Sequence, residues 1–167
     1  TCANVPSIAV SSSFTVASGG TWTSTGDGNF TDATADNTTY NLGTNDQNAP
    51  TTIQLIFTAD DGLGNCSAVA DTLNLTIDEA PEINGLADLT VCADTAFVQL
   101  GATTPRASGG TWTTSGTGSF SPSATALDAQ YNPSAADLTA GSVRLRLTTT
   151  GNGICNAVTD SMTVTFT

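Results

Sequence analysis

Ala17-Ser18-Gly19-Gly20-Thr21-Trp22-Thr23 occurs twice. Ala107-Ser108-Gly109-Gly110-Thr111-Trp112-Thr113 repeats it residue for residue, 90 positions on. Self-similarity at a fixed period marks a tandem architecture and takes precedence over any local reading. Outward from this stretch the frame holds. Cys2 matches Cys92, Phe30 matches Phe120 and Leu55 matches Leu145 at the same offset; Tyr40 matches Tyr131 one residue later, and Cys66 and Asp71 match Cys155 and Asp160 one residue earlier. Slips of one residue are loop insertions and deletions. The chain therefore reads as two units, residues 1–78 and 83–167, with a short acidic joint at 79–82, where Pro81 has no N–H to give to a sheet ladder. Ile83 to Val91 supplies an opening strand to the second unit. The first unit has no counterpart of it, so the chain reads as a piece of something larger.

Within a unit the period is two. Leu73-Asn74-Leu75-Thr76-Ile77, Val143-Arg144-Leu145-Arg146-Leu147 and Met162-Thr163-Val164-Thr165-Phe166 each alternate apolar with polar. That is the pattern of a strand with one buried face. Helical periodicity is absent, and Thr, Ser, Gly, Asn and Asp crowd every segment, so almost no helix is expected. The Trp22 strand is expected to turn at Thr25-Gly26-Asp27-Gly28 and return through Phe30, as Trp112 does through Ser115-Gly116-Thr117-Gly118 and Phe120. The glycines would supply positive φ in a tight hairpin, with Trp and Phe meeting across it. About seven short strands a unit, regular turns and a central Trp describe an immunoglobulin-like sandwich; a small barrel is the alternative. The fold class is all-β: two tandem immunoglobulin-like β-sandwich domains, each with one internal disulfide. The expected core anchors are Trp22, Phe30 and Tyr40, and Trp112, Phe120 and Tyr131.

Four cysteines allow three pairings. Each unit owns two, so Cys2–Cys66 and Cys92–Cys155 is the pairing that lets each fold alone. Disulfides imply an oxidising compartment. Metal binding through the thiolates is disfavoured, because the chain has no His and no CxxC spacing.

Composition excludes a good deal. Of 167 residues, 47 are Thr or Ser; there are three Arg, no Lys, no His, fifteen acids and a net charge of −12. Without His there is no Ser-His-Asp machinery, and without Lys no Schiff-base chemistry. The acidity argues against nucleic acid, whose binding depends on cationic contacts to phosphate. No apolar run approaches the roughly 18 residues of a membrane span. The chain reads as a non-enzymatic extracellular module with no cofactor.

Gly-Gly-Thr-Trp, Gly-x-Gly-x-Phe, Tyr131-Asn132-Pro133 with Asp137 and Gly141, the Val-x-Leu-x-Leu strand and the late Cys together resemble the tandem immunoglobulin-like repeats of very large Bacteroidota surface proteins, including gliding-motility adhesins exported by the type IX route. The resemblance covers nearly the whole chain. Unit one departs from it at Leu42, where Pro133 would stand, and at Pro50, in the place of Gly141. It implies a secreted bacterial protein at the cell surface, with a role in adhesion, spacing or filament building and no catalytic residue. Its partners would be neighbouring repeats or copies of itself, with surface glycans or other cells as further candidates. The same bacterial group attaches O-glycans at Asp-Ser/Thr followed by a small or aliphatic residue, which makes Thr72, Thr95 and Ser161 candidate acceptors.

Three functions are weighed: a structural repeat of a surface adhesin or stalk, a filament subunit assembling by strand complementation, and a carbohydrate-binding module in which Trp22 and Trp112 would stack on sugars. Oxygen-rich acids suit Ca²⁺, and the candidates are Asp60 with Asp61, and Asp78, Glu79 and Glu82 at the joint. The competing reading of these acids is a solvated acidic face. Carboxylate pairs for glycoside hydrolysis are disfavoured, since the acids lie mostly beside turns.

Overall fold

The computed structural model describes residues 1–15, 17–60 and 67–167. The chain divides into two compact units, Thr1–Ala80 and Pro81–Thr167, parted inside the acidic segment. Unit 1 contains β1 (Ser7–Ser11), β2 (Gly20–Ser24), β3 (Asn29–Phe30), β4 (Asn37–Asn41), β5 (Thr51–Ala59) and β6 (Ala70–Ile77). Unit 2 contains β7 (Leu89–Val91), β8 (Val98–Gln99), β9 (Gly109–Thr114), β10 (Ser119–Ser121), β11 (Gln130–Asn132), α1 (Ala135–Ala140), β12 (Ser142–Thr150) and β13 (Thr159–Phe166). Each unit is a pair of sheets closed over one core. In unit 1 the sheets run β1-β4-β3 and β2-β5-β6; in unit 2 they run β10-β11-β8 and β7-β13-β12-β9.

The alternation explains the pairing. In β5, Ile53, Leu55 and Phe57 are buried while Gln54 faces water; in β12, Val143, Leu145 and Leu147 are buried between the exposed Arg144 and Arg146. Each fully buried aliphatic side chain contributes about 1.5–3 kcal/mol relative to exposure. A slip of one residue would turn every one of them outward, so the register Leu55↔Leu73 and Leu145↔Met162 is strongly specified. Thr149 sits at a core position because its hydroxyl accepts from the Val158 N–H (2.9 Å), which removes the penalty of a buried unpaired oxygen.

Two expectations are corrected. The Trp–Phe segment is not a hairpin. β2 pairs with β5 and β3 with β4, so the chain crosses from one sheet to the other at residues 25–28; β9 and β10 part in the same way, to β12 and β11. Trp22 and Phe30 still meet, with ring centroids 5.7 Å apart, but across the sandwich. The glycines of this crossing do not hold positive φ. A Cβ on Gly116 would collide with the Asp137 carboxylate, and one on Gly28 or Gly118 with a Tyr ring and a strand carbonyl. They are glycines because something else fills the space. One short helix, α1, forms in a chain expected to have almost none. Ser134 caps it in a full capping box with Asp137, and Gly141 ends it at φ 75°. A strong cap at each end holds a single turn that propensity alone would leave unfolded.

The two units differ at one sheet edge. In unit 2, β7 runs parallel to β13 from Val164↔Leu89 to Phe166↔Val91, and Ile83 and Leu86 pack on the core beside it. Among the described residues of unit 1, the isolated parallel bridge Cys2↔Asp78 stands there in place of a strand. Leu73 is accordingly 48% exposed, whereas Met162, its counterpart, is 5% exposed.

Candidate functional site

The most organised polar constellation in each unit surrounds a buried Tyr–Asp pair. In unit 2, β11 delivers Tyr131 and the first turn of α1 delivers Asp137, both buried. The Tyr131 hydroxyl donates to Asp137 Oδ2 (2.8 Å). The backbone N–H groups of Ser134 (2.9 Å) and Thr117 (2.9 Å) donate to the same carboxylate. Thr114 Oγ1 lies 3.0 Å from the phenol oxygen and accepts from the Gly116 N–H. Burial alone would push the Asp137 carboxyl up, but the N–H groups of Ser134 and Thr117 and the Tyr131 and Ser134 hydroxyls outweigh it and hold it at about 2. Burial raises Tyr131 above the ordinary phenol value, so it stays the donor.

Unit 1 rebuilds this with different parts. Tyr40 donates to Asp46 Oδ2 (2.8 Å), and Asp46 also accepts from the N–H groups of Asp27, Gly28 and Gly43 at 3.0–3.1 Å. Asp27 returns the grip by accepting from Asn45 and Asp46 N–H (3.0 Å each). The Asn45 N–H first, then Asp46, hold the Asp27 carboxyl below its ordinary value. A reciprocal pair of Asp side chains thus does in unit 1 what a capped helix does in unit 2. Asp137 entered the sequence reading only as a member of the repeat motif and Asp46 not at all, although their spacing from Tyr131 and Tyr40, six residues in both units, was the available signal. The arrangement holds the sheet-to-sheet crossing in place. Asp46 and Asp137 are buried, and the exposed Asp27 carboxylate is taken up by the Asn45 and Asp46 N–H groups.

The tryptophans lie inside. Trp22 is 6% and Trp112 2% exposed, and their indole N–H groups donate to Ala35 O (3.2 Å) and Ala126 O (3.1 Å). Phe30 bridges Trp22 and Tyr40 with centroids 5.7 and 4.9 Å away, and Phe120 bridges Trp112 and Tyr131 at 6.2 and 5.2 Å. Neither indole offers an open face for a sugar.

The candidate hydroxyls occupy two kinds of place. Thr72 on β6 and Ser161 on β13 hold matching outward positions, opposite Ile56 and Arg146. In each, the preceding Asp accepts from the residue's own N–H (2.8 and 2.7 Å). Thr95 is half-buried in a turn, its N–H donating to Cys92 O (3.0 Å). Of the candidate calcium acids, Asp61 lies outside the described residues. Glu82 is paired with Arg106 (3.0 Å). Asp60 is exposed at the end of β5, and Asp78 adjoins Cys2. No group of three His, Cys, Asp or Glu comes together among the described residues.

The cysteine pairing is corrected. Cys92 is a free, exposed thiol, while Cys2 and Cys155 are disulfide-bonded; unit 2 therefore has no internal Cys92–Cys155 bridge. Cys92 adjoins the last residue of β13 and Cys155 precedes the first, and eight residues of strand separate these ends by roughly 25 Å. The expected Cys2–Cys66 bridge involves Cys66, which lies outside the described residues.

No protein family matches the chain, and no curated protein matches it. Among solved structures it is similar to mouse protocadherin-24 EC1-3 (13% identity, 83% of this chain and 53% of that one, TM-score 0.38). It is also similar to chicken VE-cadherin EC1-2 (12%, 93% and 88%, 0.34) and to cadherin-like domains 1 to 4 of zebrafish RET (10%, 96% and 42%, 0.36). The chain spans about half the length of the protocadherin-24 structure. Likeness at this level carries no statement about what the chain binds.

Proposed function

We propose that this chain is a non-catalytic structural repeat of an extracellular surface adhesin or stalk, projecting or presenting binding regions carried elsewhere. The observation that carries this reading is what the two units share. Both keep Trp, Phe, Tyr and the Asp lock at corresponding places, with closely similar geometry. Their surfaces are not kept: by the shared pairing of Gly20 with Ala59 and of Gly110 with Thr149, the exposed Asp60 of one becomes the exposed Thr150 of the other. A duplicated core under an unshared surface is what selection for mechanical integrity leaves behind. The oxidised state of Cys2 and Cys155 fits an extracellular setting, and the repeat motifs resemble those of Bacteroidota surface adhesins of the type IX route. Thr72 and Ser161, outward on matching strands, are the hydroxyls we assign to O-glycosylation. Partners in this reading are neighbouring repeats.

Pulling the full chain by its ends in dithiothreitol tests the reading. Two separate unfolding peaks are expected, each releasing roughly 25–30 nm, the extended length of a unit of about 80 residues. Yielding without a force peak would sink the stalk. Saturable binding on a glycan array would favour the carbohydrate-binding module.

The filament reading has one observation of its own. A groove of about 510 Å³ lined by Ile8, Val10, Trp22, Leu55, Phe57 and Leu73 opens beside β6, the strand whose counterpart β13 is paired with β7 within unit 2. If a strand of a second copy fills it, the chain associates with rising concentration in dithiothreitol, and Leu73→Asp abolishes the association. A chain that stays monomeric at millimolar concentration excludes that route.

A further inference from the structure

β6 stands last in the sheet order β2-β5-β6, whereas its counterpart β13 carries β7 on that side. The two units share the first rung of this edge. Thr167 N–H donates to Val91 O and Asp78 N–H to Thr1 O, each at 2.9 Å, so Thr1 stands where Val91 does. Beyond that rung unit 2 continues. Leu89 and Thr90 pair with Val164 and Thr165, and the Asp88 carboxylate accepts from the Thr163 N–H (2.7 Å). Because Leu73 stands opposite Leu55 as Met162 stands opposite Leu145, the counterparts of Thr163, Val164 and Thr165 on β6 are Asn74, Leu75 and Thr76. Among the described residues no strand lies along these three.

The groove beside this edge is the second observation. Its lining repeats in unit 2: Ile8, Trp22, Leu55 and Leu73 correspond to Val98, Trp112, Leu145 and Met162. Ile8 opposite Tyr40 and Val98 opposite Tyr131 fix the match. In unit 2 the set is buried, and Ile83 and Leu86 pack on it. In unit 1 Ile8 is half-buried and Leu73 is exposed. The same walls are thus filled in one unit and open in the other, and the filled one shows what fits.

We propose that unit 1 is a strand acceptor whose groove and β6 edge take an extended polypeptide segment patterned like Ile83–Thr90, running parallel to β6 and ending where Thr1 takes over the ladder. The pattern is apolar at the first and fourth positions, as Ile83 and Leu86 are, and acidic at the sixth, as Asp88 is. The apolar side chains bury against Ile8, Trp22 and Leu73. The acid accepts from the Asn74 N–H, and the next two residues pair with Leu75 and Thr76. Main-chain pairing supplies affinity and the apolar spacing supplies selectivity. The donor is a segment not already folded into a unit: a second copy that lent its own Ile83–Thr90 would empty the equivalent place in its unit 2. The proposal goes beyond the stalk reading, and it rests on the groove of the strand-complementation reading but not on self-assembly.

The test titrates the full chain, carrying Trp112→Phe so that Trp22 alone reports, with an end-blocked peptide of residues 83–90, at salt sufficient to screen the −12 charge. The expected result is a saturable change in Trp22 emission and a raised unfolding temperature for unit 1. Leu73→Asp weakens binding at least about tenfold, by setting a charge against an apolar segment. Leu86→Asp in the peptide does the same without touching the protein, which separates a lost contact from a lost fold. A nitroxide at the peptide's C-terminus broadens the Thr76 and Ile77 amide signals, and one at its N-terminus spares them. Three results overturn the proposal: no saturation at millimolar peptide, equal binding of a scrambled peptide, or broadening of those amides from the N-terminal label. Self-association is read separately, without peptide. A chain that binds the peptide yet stays monomeric upholds the acceptor and removes self-assembly; one that associates through Leu73 and ignores the peptide does the reverse.

Discussion

Asp137→Ala is expected to destabilise unit 2 by about 3–4 kcal/mol while leaving unit 1 untouched. The carboxylate is 3% exposed and is the acceptor for three donors: the Tyr131 hydroxyl and the N–H groups of Thr117 and Ser134. Truncation leaves all three without it, and each buried unpaired donor costs about 1–3 kcal/mol before any relaxation or entry of water. The N3 member of the α1 capping box disappears with it. For a domain of this size the loss lowers the unfolding temperature by roughly 4–8 °C per kcal/mol. Trp112 fluorescence in a Trp22→Phe background reads unit 2 alone. Asp137→Asn keeps the shape and one acceptor oxygen, and should lie between wild type and Ala. A loss below about 1 kcal/mol for Ala would show that the lock is ornamental.

The same carboxylate predicts an acid limb. Its folded value of about 2 lies below the ordinary 3.8, so ionisation stabilises the folded unit at every pH above the unfolded value. That contribution is lost as pH falls from about 4 through about 2. Urea midpoints followed through Trp112 should decline over this window, and Asp137→Asn should decline less steeply.

How much of this was legible beforehand depended on which face of a residue carried the information. The strands Val143–Leu147 and Met162–Phe166 could be read because burial on one side writes itself into alternate positions. The doubled Trp motif could be read because a core anchor needs the same neighbours in both units. The crossing at residues 25–28 and 115–118 could not. A glycine required by positive φ and a glycine required because a carboxylate occupies its Cβ space look identical in one dimension, and only the second kind is found at Gly116. Asp46 and Asp137 resembled the surface acids around them, since nothing local says that a carboxylate will be buried under a tyrosine. The cysteines misled for a related reason. Their equal spacing in the two units showed that they belong to the repeat, but not which end of a strand each would mark. Cys92 and Cys155 mark opposite ends of β13.

Trp112→Ala is the second large effect, expected at about 3–5 kcal/mol. The indole fills the middle of unit 2: it stacks on Phe120 at 6.2 Å, lies opposite Leu147 in the β9–β12 ladder and ties its N–H to Ala126 O (3.1 Å). Removing it opens a cavity that the two sheets cannot close without breaking the register of β12, and it leaves the Ala126 carbonyl with only the Ala129 N–H. Trp112→Phe retains a ring but leaves a smaller void and loses the indole N–H bond to Ala126 O, for roughly 1–2 kcal/mol; it serves if the Ala variant fails to fold. Trp22→Ala should behave alike in unit 1, where Phe57 and Phe30 face the indole at 5.1 and 5.7 Å. Chemical denaturation of each variant, beside glycan-array binding, decides between anchor and sugar platform. An anchor loses stability in the order Ala, then Phe, with no change in binding. A platform would keep its unfolding midpoint and lose a sugar.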